Sequence, residues 1–305
     1  MSRSAPNQES DRALLGYGAV AGAALAWGTI GVAARAIFMA GLTPLDGATW
    51  RAVGAFSILL VYCLATHRGA LRVARRDLAL FAAYGAVSVA GFMTVYLTAI
   101  ERTTIATAAV LLYTAPAWVV VLARVLFGES LTRMKLVAVL LTFAGSVLVA
   151  GAIGPGAVRL DAIGVLAGLC AGLTYGLYSI FGKIALRKYS PLTTVVYSLG
   201  FGALFLLVVS RGLPSVTSET LPALAYLIVI PTVVAYVLYT SGLRRVEAGR
   251  ASIVATLEPV VAALAGTVIL REPFTLIQWI GAGLVLSGVL LVQNERSLNR
   301  VRDPA

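Results

Sequence analysis

Residues 112–129 read LYTAPAWVVVLARVLFGE, and residues 255–272 read ATLEPVVAALAGTVILRE. Both stretches are apolar over most of their length, and in both a glutamate follows the proline by thirteen residues. The two stretches are 143 residues apart, and further residues coincide at that shift without a gap. The coinciding pairs include Tyr96 with Tyr239, Arg102 with Arg245, Pro116 with Pro259, Glu129 with Glu272 and Gly145 with Gly288. This register indicates an internal duplication.

The composition around these stretches is that of a membrane protein. Of the 305 residues, 59% are hydrophobic and only 12% are charged, and the mean hydropathy is +0.91. A soluble domain carries about 25% charged residues, so this chain has too few charges to cover a water-exposed surface. The composition excludes a soluble enzyme, a secreted disulfide scaffold and a disordered chain. Cys63 and Cys170 lie in separate apolar runs, which predicts small core residues rather than a disulfide.

Apolar runs of about 20 residues, the length that a transmembrane helix needs, occur ten times in the chain. They lie at 14–38, 46–66, 78–98, 104–127, 134–152, 162–184, 191–210, 221–243, 249–270 and 274–293. The first run lacks a cleavage site followed by a soluble chain, which predicts a retained helix rather than a signal peptide. The predicted fold class is therefore an all-α integral membrane protein with ten transmembrane helices.

The distribution of basic residues favours ten spans with both termini in the cytoplasm. In that orientation, 18 of the 24 Lys and Arg residues lie on the cytoplasmic side and 4 on the opposite side, as the positive-inside rule predicts. The other two, Arg35 and Arg51, fall within spans. We therefore interpret the formal net charge of +11 as a consequence of topology and expect no nucleic-acid partner.

The duplicated unit holds five spans in each copy. The first unit is predicted at 14–152 and the second at 162–293, with cytoplasmic tails at 1–13 and 294–305. Because five is odd, the two units must have opposite orientations in the membrane, an arrangement that builds many secondary transporters. The sequence predicts a pathway between the units, lined by spans 1, 3, 4, 6, 8 and 9, and places spans 5 and 10 at the periphery. One chain suffices to form such a pathway.

No catalytic constellation accompanies these spans. The single histidine, His67, lies in a basic loop, so a histidine-based zinc site or a Ser-His triad has no place at membrane depth. The sequence also lacks a G-x-x-x-x-G-K-[ST] phosphate loop and paired cysteines. We therefore expect no enzymatic activity, no cofactor and no bound metal. A non-transporting membrane scaffold or a channel-like protein stays an alternative to a transporter.

Several motifs occur in a recognisable order along the chain. They are Trp27-Gly28, Arg51, the run LYTAP from Leu112 to Pro116, the run LFGE from Leu126 to Glu129, and LEP from Leu257 to Pro259 followed by Glu272. In these motifs and in its repeat, the chain resembles the drug/metabolite transporter superfamily, specifically its ten-helix EamA-type transporters. The resemblance covers residues 14–293 and is greatest to bacterial amino-acid and metabolite exporters of the YddG type.

This resemblance implies the export of small amphipathic metabolites across the bacterial inner membrane by alternating access between the two units. Amino acids are the favoured substrates, with aromatic amino acids among them. A multidrug or cation exporter of the same superfamily is the alternative. The expected partners are a small-molecule substrate and the lipid bilayer, and a coupling proton is a further candidate.

Glu258 is the only acid well inside a predicted span. A carboxylate at such depth is costly unless a partner, a proton or a water-filled cavity compensates. Glu258 is therefore a candidate site for a substrate amine or a coupling proton, and a structural hydrogen bond to a neighbouring helix is an equally supported interpretation. Arg51 is interpreted first as an interfacial residue or a partner of Asp46, with a substrate carboxylate as the alternative.

Aromatic residues within the spans supply the other candidate substrate-binding side chains. Tyrosine and tryptophan suit an amphipathic cavity because their polar atoms need partners when buried; the alternative for some of them is the aromatic belt at a membrane surface. The candidates are Trp27, Tyr96, Tyr113, Tyr175, Tyr178, Tyr236 and Tyr239.

Three prolines are candidate hinges: Pro116, Pro231 and Pro259. Proline lacks an amide hydrogen, so Pro116 and Pro259 are predicted to free the carbonyl groups of Leu112 and Ala255. Kinks that serve packing alone are the alternative.

Two further features are not expected to contact the substrate. Glu129 and Glu272 are interpreted as capping or gating groups at opposite faces, and the stripe Gly164, Gly168, Gly172 and Gly176 as a surface for close helix packing.

Overall fold

A computed structural model describes residues 5–152, 161–271 and 273–302. Within these ranges the chain is helical and has no strand. Its helices are α1 (Ala5–Gly28), α2 (Ile30–Met39), α3 (Pro44–Thr66), α4 (Leu78–Gly85), α5 (Phe92–Arg102), α6 (Ile105–Leu112), α7 (Ala115–Phe127), α8 (Arg133–Val149), α9 (Ala162–Leu186), α10 (Pro191–Val209), α11 (Leu221–Ile228), α12 (Ala235–Leu243), α13 (Ala248–Ala255), α14 (Leu257–Leu270) and α15 (Leu276–Arg302). Glu272 and the outermost residues of both predicted tails lie outside the described residues.

Nine stretches of the described chain are long and apolar enough to cross a membrane. They are Asp11–Met39, Pro44–Thr66, Arg75–Arg102, Ile105–Phe127, Ala162–Leu186, Pro191–Val209, Leu221–Leu243, Ala248–Leu270 and Leu276–Asn294. Each overlaps one of the ten predicted spans. The remaining predicted span, the fifth, corresponds to α8, which has 17 residues and packs along α15. The chain is thus an all-helical, multi-span membrane protein.

Interruptions of the regular α-helix within the spans recur at the 143-residue shift. A first π-helical segment, Ala86–Gly91, joins α4 to α5, and a second, Val229–Val234, joins α11 to α12. Helices α6 and α13 coincide at both ends at this shift, and α7 and α14 end at equivalent residues. The interruptions as well as the apolar runs are therefore repeated along the chain.

The predicted prolines lie at these interruptions. Pro116 is in the first turn of α7 and Pro259 is in the first turn of α14. Because proline has no amide hydrogen, the preceding helix cannot continue its hydrogen-bond ladder through it, and α6 and α13 end at Leu112 and Ala255. Pro231 lies in the second π-helical segment, where the wider turn absorbs the missing bond.

Close packing at the centre of the bundle depends on the glycine stripe of α9. This helix packs against α5, α6 and α7. A Cβ added at Gly172 would lie 2.7 Å from the carbonyl oxygen of Leu111 and 2.4 Å from the Thr114 hydroxyl, so only glycine allows this approach. The stripe thus brings α9 directly onto the break between α6 and α7. On the other side of the centre, α1 packs against α12, α13 and α14.

Candidate functional site

A cavity lies where these interrupted helices meet. The cavity volume that the centres of water molecules can occupy is about 40 Å³. This is enough for about three waters, since one water needs roughly 10–15 Å³. Its walls come from spans 1, 3, 4, 6, 8 and 9, the six that the sequence predicted for the pathway. The lining residues are Trp27, Ser88, Phe92, Tyr113, Ala115, Pro116, Val119, Tyr175, Gly176, Tyr178, Ser179, Tyr236, Tyr239, Ser252, Ala255, Thr256 and Glu258.

Seven of the eight predicted binding residues line this one cavity. They are Trp27, Tyr113, Tyr175, Tyr178, Tyr236, Tyr239 and Glu258. The eighth, Tyr96, does not line it. Its ring stacks on Phe92 with centroids 5.6 Å apart, so it supports the cavity wall from behind. Of the predicted hinges, Pro116 lines the cavity, whereas Pro231 and Pro259 do not.

Glu258 occupies the first turn of α14, beside the break at Thr256. Its Oε2 accepts a hydrogen bond of 2.9 Å from the Tyr175 hydroxyl. The positive end of the α14 dipole also favours a negative charge at this position. One carboxylate with one neutral donor retains further acceptor capacity. The site is therefore able to bind a proton or a cationic ligand group.

The other wall of the cavity is an aromatic cluster. The rings of Trp27 and Tyr236 meet edge to face with centroids 5.6 Å apart, and Tyr178 meets Tyr236 in the same way at 5.0 Å. The ring centroids of Trp27 and Tyr239 are also 5.2 Å apart. The hydroxyl groups of Tyr239 and Ser179 form a hydrogen bond of 2.5 Å. Packed rings of this kind hold one another in fixed orientations. The wall is apolar over most of its area and suits an aliphatic or aromatic ligand group.

Arg51 has a partner that the sequence did not indicate. Its Nε donates a 3.0 Å hydrogen bond to the hydroxyl of Thr232 in the second π-helical segment. The guanidinium also lies close enough to Glu258 and Tyr236 for electrostatic interaction. Asp46, the predicted alternative partner, instead forms a capping box with Thr43 at the start of α3. Arg51 therefore bonds to a neighbouring span inside the bundle, while Asp46 serves as a helix cap.

A group of charged residues, here called the ion network, joins the α7–α8 connection to the start of α13. Glu129 accepts hydrogen bonds from the amides of Ala248 and Gly249 at 2.7 and 3.1 Å. The Lys135 Nζ lies 2.8 Å from a carboxylate oxygen of Glu247, which also accepts from Arg250. Lys135 is 1% exposed, so its charge depends on these partners.

Glu129, interpreted from the sequence as a capping or gating residue, thus caps a helix of the other predicted unit. Glu247 itself supplies no side-chain cap to α13. Burial alone would raise the pKa of Glu247, but hydrogen bonds from Lys135 and Arg250 outweigh it, and the pKa is lower than that of a free glutamate. The ion network therefore ties the two predicted units together, at one end of the bundle, through charges that are buried or, at Glu247, partly buried.

Sequence reasoning missed the hydroxyl groups of the cavity. Ser88, Ser179 and Ser252 line it, and Thr256 lies at the break of α13 from α14. Single serines in apolar runs carry no distinctive pattern, although Ser179 lies four residues after Tyr175 and hence on the same face of α9. Within the described part of the chain, no group of three His, Cys, Asp or Glu side chains could hold a metal ion.

Comparison with known proteins gives a consistent result. The model of the EamA-like transporter family matches residues 14–151 and again residues 162–293. An uncharacterized transporter of Archaeoglobus fulgidus is 34% identical over 92% of this chain and 97% of its own. The "Uncharacterized inner membrane transporter YicL" of Salmonella typhimurium is 30% identical over 67% of this chain and 70% of its own.

Two further matches concern function and fold. A protein of Streptantibioticus cattleyicolor named "Probable terminal-alkyne amino-acid exporter" is 27% identical over 79% of this chain and 82% of its own. A crystal structure superposes with a TM-score of 0.76 over 93% of this chain and 97% of the other, at 21% identity. At that identity the likeness shows the shared fold alone.

Proposed function

Because the chain belongs to the EamA-like transporter family, within the drug/metabolite transporter superfamily, we propose that it is a secondary transporter that exports small amphipathic metabolites. Amino acids, including aromatic ones, are the favoured substrates. The observation that carries this proposal is Glu258, a carboxylate held by Tyr175 in a cavity whose other walls are aromatic. The named amino-acid exporter among the relatives supports the same substrate class.

In this proposal the amine of the substrate binds Glu258 and its apolar part packs on the aromatic wall. An ammonium group is attracted both by the carboxylate and by the faces of tyrosine and tryptophan rings. Glu258 is also the proposed site of a coupling proton, since proton and amine would compete for the same oxygens. Such competition links proton entry to substrate release without any further residue.

We propose that transport proceeds by alternating access between two inverted five-span units at 14–152 and 162–293. The recurrence of helix ends and π-helical segments at the 143-residue shift supports this division. With ten spans and both termini in the cytoplasm, the ion network would close the cytoplasmic end of the pathway. Opening toward the cytoplasm would then require Glu129 to leave the amides of Ala248 and Gly249. One chain contains the whole pathway, and the location is the bacterial inner membrane.

A multidrug or cation exporter is the second candidate, because an acid among aromatic rings also suits an organic cation without a carboxylate. The test is transport into proteoliposomes of radiolabelled phenylalanine, with tyrosine and tetraphenylphosphonium as competitors. Saturable phenylalanine flux that tyrosine inhibits supports the amino-acid exporter. Flux of tetraphenylphosphonium alone would favour the cation exporter, and protein-free vesicles give the background.

A further inference from the structure

Two residues that line the cavity, Ser88 and Tyr178, each have a buried hydroxyl oxygen with no hydrogen-bond partner among the described residues. The ring of Tyr178 packs against those of Tyr84, Tyr236 and Tyr239, whereas Ser88 is a small residue that is 3% exposed. A buried hydroxyl without a partner costs about 1–3 kcal/mol, so its retention in a cavity wall calls for an explanation. Other serines of the cavity are satisfied: Ser179 bonds Tyr239, and Ser252 donates to the carbonyl of Gly249 at 2.8 Å.

The backbone around Ser88 differs from a regular helix. In regular helices of this chain many hydroxyl groups donate to a carbonyl three or four residues earlier, as Ser57 does to Val53 and Ser252 does to Gly249, although Ser146 in α8 has no such partner. Ser88 lies in the first π-helical segment, where the wider turn displaces that carbonyl. In the second segment Thr232 recovers a bond by reaching five residues back, to Leu227. Ser88 makes no such bond, so its hydroxyl stays available to the cavity.

The position of Ser88 relative to Glu258 sets the shape of a ligand that could reach both. Phe92 packs on Tyr175, the partner of Glu258, with ring centroids 5.4 Å apart. Ser88 precedes Phe92 by four residues, about one helical turn. Ser88 and Glu258 therefore lie on different walls of the cavity, spans 3 and 9, and the Phe92–Tyr175 ring pair connects these walls.

The chemistry near Ser88 favours a neutral ligand group. Among the described residues that line the cavity, none is lysine or arginine, and Arg51, the cation near Glu258, already donates a hydrogen bond to Thr232. A neutral hydroxyl would satisfy Ser88 and leave no buried charge.

Building on the proposed function, we propose that Ser88 is a specificity-determining residue that binds a hydroxyl group at the distal end of the substrate. The preferred substrate class is thus an amino acid whose aromatic side chain ends in a hydroxyl, with its amine on Glu258, its ring on the aromatic wall and its phenol on Ser88.

The test compares tyrosine with phenylalanine, which differ by this hydroxyl alone, on purified full-length protein. Dissociation constants come from the rise of the apparent melting temperature with ligand concentration, and competition for flux in proteoliposomes provides a second measure. The wild type is expected to prefer tyrosine by about three- to tenfold, the range of one neutral hydrogen bond. Ser88→Ala should abolish this preference by weakening tyrosine binding alone. Ser287→Ala, which removes an internally bonded hydroxyl in α15, should preserve it.

The unliganded melting temperature separates this role from a structural one. Because the Ser88 hydroxyl has no internal partner, Ser88→Ala should melt at or above the wild-type temperature. A lower melting temperature, or an unchanged preference for tyrosine in Ser88→Ala, would overturn the role of Ser88. Equal binding of the two amino acids by the wild type would also overturn it, while leaving the proposed function intact. If neither amino acid bound the wild type, both proposals would fall.

Discussion

The broken helix α6–α7 and its counterpart α13–α14 have the same backbone plan and different chemistry. Both begin after an N-cap residue in extended conformation, both break beside a proline, and both end in a residue with a left-handed backbone. The equivalent residues at these three points differ. They are Thr104 and Glu247 at the N-cap, Ala115 and Glu258 after the break, and Gly128 and Arg271 at the C-cap.

This difference separates the residues that determine the backbone break from the residues that carry charge. The first helix has only neutral residues at the three points, yet it begins, breaks and ends at residues equivalent to those of the second to within one position. Proline and local capping are therefore sufficient for the break, and the charges of the second helix have another use. We propose binding at Glu258 and closure by the ion network, and the following variants test each point of the comparison.

Loss of the N-cap is expected to change the free energy of unfolding by different amounts in the two helices, and this is the largest difference that we predict. Thr104 caps its own helix through the Thr107 amide at 3.0 Å, whereas α13 relies on Glu129 from the other unit. Glu129→Ala removes two hydrogen bonds to a carboxylate and should destabilise the protein by about 2–3 kcal/mol. Thr104→Ala, the matched control, should cost about 1 kcal/mol. Unfolding of both variants in detergent measures this, and an equal or larger cost for Thr104→Ala would contradict it.

A substitution of Glu258, beside the break in the second helix, should give the next largest effect. This effect is on transport rather than on stability. Glu258→Gln keeps the volume of the side chain and an acceptor for Tyr175 but removes the charge. Flux per folded molecule should fall at least tenfold, which is about 1.4 kcal/mol, and the response to an imposed pH gradient should disappear. Glu101→Gln, at an exposed acid in α5, is the control and should transport normally. If Glu258→Gln lost melting temperature with near-normal flux, the carboxylate would be structural.

Much of this comparison could be predicted from the sequence. Apolar run length located the nine long spans, and the spacing of Pro116 and Pro259 located both breaks. The tryptophan and tyrosine residues that line the cavity were predicted because they lie within spans and their polar atoms need partners when buried, whereas Phe92, which also lines it, was missed. Run length also placed a span at α8, but its helix is shorter than a typical membrane span.

The remaining features depend on which helices become neighbours. The bond from Arg51 to Thr232 requires α3 to pack beside the second π-helical segment, and no local pattern encodes that contact. The role of Glu129 likewise depends on α13 starting within reach of its carboxylate. The unpartnered hydroxyl of Ser88 lies in a π-helical turn, a register change that hydrophobic periodicity does not reveal.

Substitutions at the C-cap should change stability by a smaller amount. Gly128 has φ +70° and Arg271 has φ +58°, a region in which a Cβ costs about 1 kcal/mol. Arg271→Gly should therefore be more stable than Arg271→Ala by about 1 kcal/mol, since both variants lose the same charge at the helix end. Apparent melting temperatures in detergent provide the measurement. Equal stability of the two variants would show that the backbone at Arg271 is unstrained.

The smallest effect concerns pH and contrasts Glu247 with the neutral Thr104. Hydrogen bonds from Lys135 and Arg250 lower the pKa of Glu247 in the folded protein despite its partial burial. A carboxylate with a lowered pKa binds protons more readily when the chain is unfolded, so its contribution to stability is full above the unfolded pKa, about 4.3. That contribution is lost as the pH falls through the pKa of the folded state.

Between pH 6 and pH 3.5 the wild-type melting temperature should therefore fall more than that of Glu247→Gln. Thr104→Ala should follow the wild type throughout, because no titrating group is changed at that end. Parallel curves for the wild type and Glu247→Gln would show that the ion network holds its partners equally well in both protonation states.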